Sequence, residues 1–310
     1  MAEDGSNDGL TISVVIPSVG RGVLADIVGR ALEQDALEVI VVADANPDDV
    51  HSVLMPWLSA GEERVRMVAG PGQGVALARQ TGVEAARGDI VLLLDDDVVP
   101  EPGLLEGHRR VHAAGRNRVV IGYLPVAPQI VARSVAGAIY SSDYEAECRE
   151  LDDDPSRVLL QLWAGNYSMR SEDCIRVPHA DPMFLNSLLE DQEFGFRCRA
   201  AGLEGFFDRS LSSTHHYERP VSAFLKSARA QALASRRLHE MYPDLAPVID
   251  GRADLPKPAR LVVQASLLPG VGPAVRTAVV WVATKLGASR PNRLNLRTAA
   301  LAREVVQAAD

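Results

Sequence analysis

Asp89-Ile-Val-Leu-Leu-Leu-Asp95-Asp96-Asp97-Val-Val-Pro100 decides how this chain is read. Five apolar residues, Ile90 to Leu94, run straight into three carboxylates. A continuous apolar run of that length predicts a strand buried on both faces of a mostly parallel sheet. In open α/β sheets, ligands bind beyond the carboxyl ends of such strands. Three acids crowded there repel one another, and a hard divalent cation among them relieves the repulsion. Ions of the Mg²⁺ type bridge one or two carboxylates to phosphate oxygens, so the same run points to a phosphorylated ligand. The plainer alternative is an acidic turn that caps a helix near Pro100, because helix N-termini also favour Asp.

The 310 residues suffice for one large α/β domain or two smaller ones, and 47% apolar with 24% charged residues is the balance of a soluble globular protein. Cys148, Cys174 and Cys198 form no C-x-x-C pair and show no metal spacing, which suits packed thiols in a reducing cytoplasm. Residues 1–10 read as a flexible acidic tail without the positive start and apolar core of a signal peptide. At a net charge of −9, no nucleic-acid partner is expected. The charge is uneven: from Leu255 to Arg303 there are eight basic residues and no Asp or Glu. A basic tail on an acidic body calls for an anionic partner or for docking of tail on body.

Along the chain, Thr11–Pro17 reads as a first strand stopped by Pro17, and Val23–Leu32 has helical spacing. Glu38–Val42 is a second buried strand, followed by a loop over Ala43–Asp49. Val65–Val68 is a short third strand. Gly70-Pro-Gly-Gln-Gly74 opens a helix from about Val75 to Arg87, which leads into the strand Ile90–Leu94. This alternation implies right-handed βαβ units and a parallel sheet. Further on, Val119–Tyr123 is a strand candidate, Ala132–Cys148 looks helical and Leu151–Pro155 reads as an acidic turn. Val158–Met169 is expected to carry a strand into a loop at Gly165-Asn166. Asn186–Ala201 reads as a helix closed by Gly202, and Glu204–Thr214 returns to the sheet. From Pro220 the chain is mostly helical, with breaks near Pro243, Pro256–Pro258 and Pro269–Pro273.

Together these pieces resemble the inverting family 2 glycosyltransferases of GT-A fold, over roughly residues 11–240. Ser13-Val-Val-Ile-Pro17 resembles the family's opening strand, and Val39-Ile-Val-Val-Ala-Asp44 stands where V-I-V-V-D-D is usual. Gly74 to Asp89 resembles the run G-x-x-x-A-R-N-x-G-x-x-x-A-x-G-D, and Leu94–Asp97 fits the D-x-D signature. Gly165-Asn166 resembles the loop before the acceptor region, Leu189-Glu190-Asp191 the E-D motif, and His215-His216 falls where a late metal-binding histidine is expected.

The resemblance implies an α/β GT-A nucleotide-diphospho-sugar transferase fold, with a Rossmann-like, mostly parallel sheet flanked by helices. Residues 11–100 would bind the donor, 101–245 the acceptor, and 246–310 would form a basic helical extension. The implied reaction moves a sugar from a nucleoside-diphosphate sugar, a UDP-sugar first, to a hydroxyl-bearing acceptor, either a small molecule or a glycan or lipid-linked one. Breaking the anomeric bond leaves negative charge on the β-phosphate, which a divalent Mn²⁺ or Mg²⁺ stabilises. By the same resemblance Asp97 ligates the metal, and Asp95 contacts the ribose or completes the metal site. Asp96 is assigned to the donor side with Pro17, and His215 or His216 supplies a further metal ligand. Leu211, Ser213 and His215 would share one strand face, which favours His215. Asp44 would accept from the nucleobase N–H, although Ala43 replaces the family's preceding Asp. Arg79 would reach the diphosphate. Asp191 is the expected general base, with Glu190 as the second candidate. Trp163, Gly165 and Asn166 would line the acceptor or sugar pocket. The bland readings are a solvated helix charge for Arg79, an acidic first helical turn for Glu190-Asp191 and a core tryptophan for Trp163.

Two other classes compete: a nucleotidyltransferase, for which Pro17-Ser-Val-Gly-Arg21-Gly22 is only a faint echo, and a nucleotide-sugar-binding protein without activity. The basic extension suggests peripheral contact with the inner face of the membrane, or pairing of subunits. Val279–Ala283 is too short and interrupted to span a bilayer. Arg276 and Lys285 fall on opposite sides of an ideal helix, which argues against a clean lipid-facing stripe.

Overall fold

The structure, a computed structural model, describes residues 9–181, 188–245 and 256–309. The expected tail over 1–10 lies almost wholly outside the described residues, as do the first residues of the expected helix at Asn186 and of the extension at 246.

The first half alternates β1 (Ile12–Ser18), α1 (Leu24–Glu33), β2 (Glu38–Ala43), α2 (Pro47–Ser59), β3 (Val65–Ala69), α3 (Val75–Ala85) and β4 (Ile90–Leu94). Then come β5 (Val98–Pro100), α4 (Leu104–Ala113), β6 (Arg118–Tyr123), α5 (Pro128–Arg133) and α6 (Val135–Asp153). After β7 (Asn166–Arg170), α7 (Ser171–Arg176), α8 (Glu190–Ala200) and β8 (Glu204–His215), the chain is helical: α9 (Val221–Met241), α10 (Lys257–Leu267), α11 (Gly272–Leu286) and α12 (Arg293–Ala308). The sheet order is β3-β2-β1-β4-β7-β6-β8-β5. β1 pairs in parallel with β2 and β4, β2 with β3, and β6 with β8, whereas β7 and β5 run antiparallel to their neighbours.

Burial explains the central strands: every residue of β1, β2 and β4 is buried, as strands covered on both faces require. One covering layer includes α1, whose Leu24, Ile27, Val28 and Ala31 recur at i, i+3, i+4 and i+7. α3 approaches the other face so closely that a Cβ on Gly82 would lie 2.2 Å from Val15 Cγ1. This contact fixes the helix whose N-terminal half carries Arg79.

Contacts divide the described residues into two units. One takes those within Met1–Pro125, Cys148–Asn186 and Glu190–His216; the other those within Val126–Glu147, Ser187–Leu189 and Tyr217–Asp310. The first holds the sheet. The second packs α5, α9, α11 and α12 around Ile130, Phe224, Leu225, Ala283, Ala299 and Ala302.

Several local expectations need correction. β1 passes through Pro17, which pairs with Val42. Even-numbered β1 carbonyls face β2, as Leu37 N–H to Ile12 O and Asp44 N–H to Ser18 O show. The missing Pro17 N–H therefore faces β4, where pairing has already ended at Val15. The loop expected through Asp49 gives way at Pro47 to α2, whose first turn holds Pro47, Asp48 and Asp49. The three acids do not cap a helix: β5 follows them, and α4 starts after Gly103. β7 follows the Gly165 loop rather than leading into it, because Gly165 has φ +106 and breaks the extended chain before Asn166. Ser134, extended at φ −116, splits the helix expected over 132–148, and α6 runs on through the residues expected to turn at Leu151–Asp153.

Candidate active site

Arg79 sits at the centre of the acidic cluster. Its side chain is only 5% exposed, yet Nη2 reaches Asp95 Oδ1 at 2.9 Å and Nη1 reaches Asp191 Oδ1 at 2.7 Å and Glu190 Oε1 at 3.7 Å. Burial opposes the guanidinium charge, but Asp191 and Asp95 outweigh it, and its pKa stands well above the ordinary arginine value. Asp191 is 31% exposed, so a ligand can reach it, and its second oxygen accepts the Ala164 N–H at 3.1 Å. Burial raises the Asp191 carboxyl against the opposing pull of Arg79. Glu190 is pushed up to about 8, by burial first and then by the Asp191 charge. A carboxyl raised in the fold from an ordinary 4.5 contributes stability that is full below 4.5 and lost as pH climbs through 8. Glu190→Gln is therefore expected to flatten the fall of Tm between those pH values in thermal melts. A variant whose Tm falls as steeply as wild type would contradict the assignment.

The β4–β5 turn places Asp96 and Asp97 differently. Asp96 is buried, and its Oδ2 accepts from Ser18 Oγ and Val19 N–H, both at 2.9 Å. Burial outweighs Arg21 and these donors, so its pKa is raised. Asp96 thus ties the end of β1 to the end of β4. Asp97 points the other way: its Oδ1 lies 3.6 Å from His215 Nε2, and the Arg21 guanidinium pairs with its Oδ2 while standing 3.2 Å from Asp96. His215 closes β8 opposite Val98, and Leu211, Ser213 and His215 are the buried members of the alternation. His216, one residue further, donates its backbone N–H to the Asp97 carbonyl at 2.7 Å.

Residues 163–166 connect the two clusters. Ala164 N–H holds Asp191, and the Gly165 carbonyl accepts Asp95 N–H at 3.3 Å. Trp163 is half-buried, edge-on to Phe207 at 5.6 Å. Asn166 is fully buried and belongs to a network absent from the sequence reading. Its Nδ2 donates to the Leu211 carbonyl (2.9 Å), so its Oδ1 takes the His108 Nε2–H (3.1 Å). His108 Nδ1 then accepts from Ser168 Oγ (2.7 Å), which in turn accepts from His112 Nε2 (2.8 Å). Burial holds both imidazoles neutral, lowering them to about 4 and about 3. The network fixes the start of β7, and with it the backbone that grips Asp95 and Asp191. His108 and His112, spaced i, i+4 in an apolar helical pattern, were the available signal for it.

Asp44 lies at the end of β2, where its two oxygens accept the N–H groups of Gly72 (2.9 Å) and Gly74 (3.2 Å) and shape the glycine-rich loop before α3. Pro17 is buried one strand away. His179, also unforeseen, is buried against Phe194 at 4.3 Å and helps to line a small cavity with Arg79, Tyr167, Glu190 and Asp191. The expected Glu193–Arg197 pair forms at 2.9 Å, but Glu193 is buried rather than on the surface. Arg197 also donates to the carbonyls of Pro178 and His179.

Among the described residues no group of three His, Cys, Asp or Glu side chains is gathered to hold a metal ion alone. Asp97 and His215 nevertheless offer an oxygen and a nitrogen donor 3.6 Å apart. Such a pair fits a divalent cation that takes its remaining ligands from phosphate and water.

Carboxylates at the sheet's switch point, with a glycine loop beside them, stand where open α/β folds bind their ligands. The comparisons give the class. The family model described as Glycosyl transferase family 2 matches residues 13–144. Validoxylamine A glucosyltransferase of Streptomyces hygroscopicus subsp. jinggangensis (strain 5008) is 28% identical over 223 residues, 62% of this chain and 52% of the relative. The chain thus spans about half the length of the curated relatives it matches. A mannosyltransferase from Pyrobaculum calidifontis, solved with GDP-Man and Mn²⁺, superposes with a TM-score of 0.62 at 16% identity, covering 97% of this chain and 86% of its own. Glucosyl-3-phosphoglycerate synthase from Mycobacterium tuberculosis, solved with Mn²⁺, UDP and glucosyl-3-phosphoglycerate, gives 0.50 at 18%, covering 78% and 82%. These structures show the fold, GT-A with C-terminal helices. The match over residues 13–144 and the relatives together support a family 2 glycosyltransferase.

Proposed function

We propose that this chain transfers a sugar from a UDP-sugar to an acceptor hydroxyl with inversion at the anomeric carbon, assisted by Mn²⁺ or Mg²⁺. One observation carries the reading. A buried Arg79 gathers Asp95, Glu190 and Asp191, while Asp97 and His215 face each other beyond the end of β4. The UDP and Mn²⁺ in the M. tuberculosis structure, and the glucosyl transfer named for the Streptomyces relative, support it.

Asp191 acts as the base. Arg79 and the Ala164 N–H fix its carboxylate and each leaves a lone pair on the oxygen it binds, so one oxygen can take the acceptor proton. The acceptor oxygen forms the new bond to the anomeric carbon as the bond to the β-phosphate oxygen breaks, and the nucleoside diphosphate leaves with that electron pair. A single in-line displacement inverts the centre. Asp97 and His215 would hold a divalent cation, with Asp95 at the ribose or beside them, and such a cation would supply Lewis-acid stabilisation of the leaving diphosphate. Arg21, paired with Asp97, is a guanidinium within reach of the same cluster and suited to the donor diphosphate. Asp44 orders the glycine loop and meets the base edge through its remaining lone pairs.

Asp97→Ala tests the reading. UDP affinity measured by calorimetry is expected to fall about tenfold or more with Mn²⁺ present and to stay unchanged in EDTA. An equal loss in both conditions would remove the cation from the scheme.

A further inference from the structure

The helices of the second unit carry an outward surface that sugar transfer does not use. α10 turns Val263 and Ser266 inward and leaves Lys257, Arg260, Leu261, Gln264 and Leu267 exposed, at i, i+3, i+4, i+7 and i+10. α11 buries Gly272 and Ala283 and exposes Ala274, Thr277, Ala278, Trp281, Val282 and Lys285 at the same kind of spacing. The connection between them is tightly built. A Cβ on Gly272 would lie 2.4 Å from the Ser266 carbonyl, and Arg276 Nη1 donates to that carbonyl at 2.5 Å. The corner therefore stands with its apolar residues outward: Leu261 is 64% exposed, Leu268 53%, Val271 54% and Trp281 62%.

Arg276 is the residue that spoiled the stripe in the sequence. The structure spends it on the corner, and Arg303 pairs with Asp143, so neither interrupts the outer faces. Lys285 stays beside Trp281, and Arg290, Arg293 and Arg297 are exposed beyond it. No Asp or Glu occurs between Leu255 and Arg303. An apolar surface of this kind, on helices whose own stretch carries Lys and Arg and no acid, matches an anionic lipid surface: leucine, valine and tryptophan enter the acyl boundary while Lys and Arg meet the headgroups. A second copy fits less well, because an isologous contact would set the same cations face to face. No helix among the described residues is long and apolar enough to cross a membrane, so the contact is peripheral.

We infer that the α10–α11 corner and the outer face of α11 dock the protein on an anionic phospholipid surface. The test is co-sedimentation of the full chain with phosphatidylcholine vesicles, with and without phosphatidylglycerol, alongside light scattering of the protein alone. Wild type is expected to partition about tenfold better onto the anionic vesicles and to be released by salt. Its tryptophan emission should shift to the blue on binding, a shift that Trp281→Phe removes without removing binding. Leu268→Glu with Trp281→Glu should abolish sedimentation while leaving Tm and sugar transfer unchanged, since both positions are exposed and lie in the second unit. Equal sedimentation of wild type with both vesicle types would overturn the inference. So would a double variant that sediments like wild type, or a dimer in light scattering that the double variant dissolves.

Discussion

Asp191→Asn is expected to lower turnover about 10²–10⁴-fold, the usual contribution of a positioned base, and to leave donor affinity unchanged. The amide keeps the shape, and its oxygen can still accept from Arg79, but it cannot take a proton. Steady-state transfer kinetics beside calorimetry of the donor separate the two effects. Retention of more than a tenth of wild-type turnover would shift the base to Glu190 or elsewhere. The pH profile has a fixed sign. Burial raises the Asp191 carboxyl, so the rate should climb with pH through a value above the ordinary aspartate range.

The second large effect is on stability. Arg79→Met leaves Asp95, Glu190 and Asp191 facing one another without their buried cation. Breaking a buried pair by removing one partner costs about 3–5 kcal/mol, which urea unfolding would read as a lower midpoint. The loss should be greatest at high pH, where the carboxylates are ionised, and should shrink as they protonate. Adding Asp191→Asn should restore part of it. A loss below about 1 kcal/mol, equal at both pH extremes, would mean that Arg79 is not what holds these acids.

Much of the fold was legible because the central strands carry it openly. Residues 14–16, 39–42 and 90–94 are uninterrupted apolar runs, which few structures other than doubly covered strands accommodate. What escaped lies where tertiary context overrides local pattern. Pro17 looks like a strand end until the missing partner on the β4 side is known. Asn46-Pro47-Asp48-Asp49 reads as a turn or as a helix start, and only packing of Val50 and Leu54 on the core decides. In the site, the acids announced themselves by position, but the division of labour among them did not. That Asp96 faces Ser18 and Asp97 faces His215 depends on the turn geometry between β4 and β5. The i, i+4 spacing of His108 and His112 marks one side of their buried chain, but its partner Ser168, like Asp97 for Arg21, lies far off in sequence, and no local signal marks such pairings.

The central claim is that Asp97 and His215 hold a cation against the diphosphate of a sugar nucleotide. Thermal unfolding of the wild-type chain with UDP-, GDP- and TDP-sugars, each with Mn²⁺ and with EDTA, tests it most directly. At saturation one class of sugar nucleotide should raise Tm by about 5 °C or more with Mn²⁺ and by far less in EDTA. A panel in which no sugar nucleotide gains stabilisation from Mn²⁺ would contradict it.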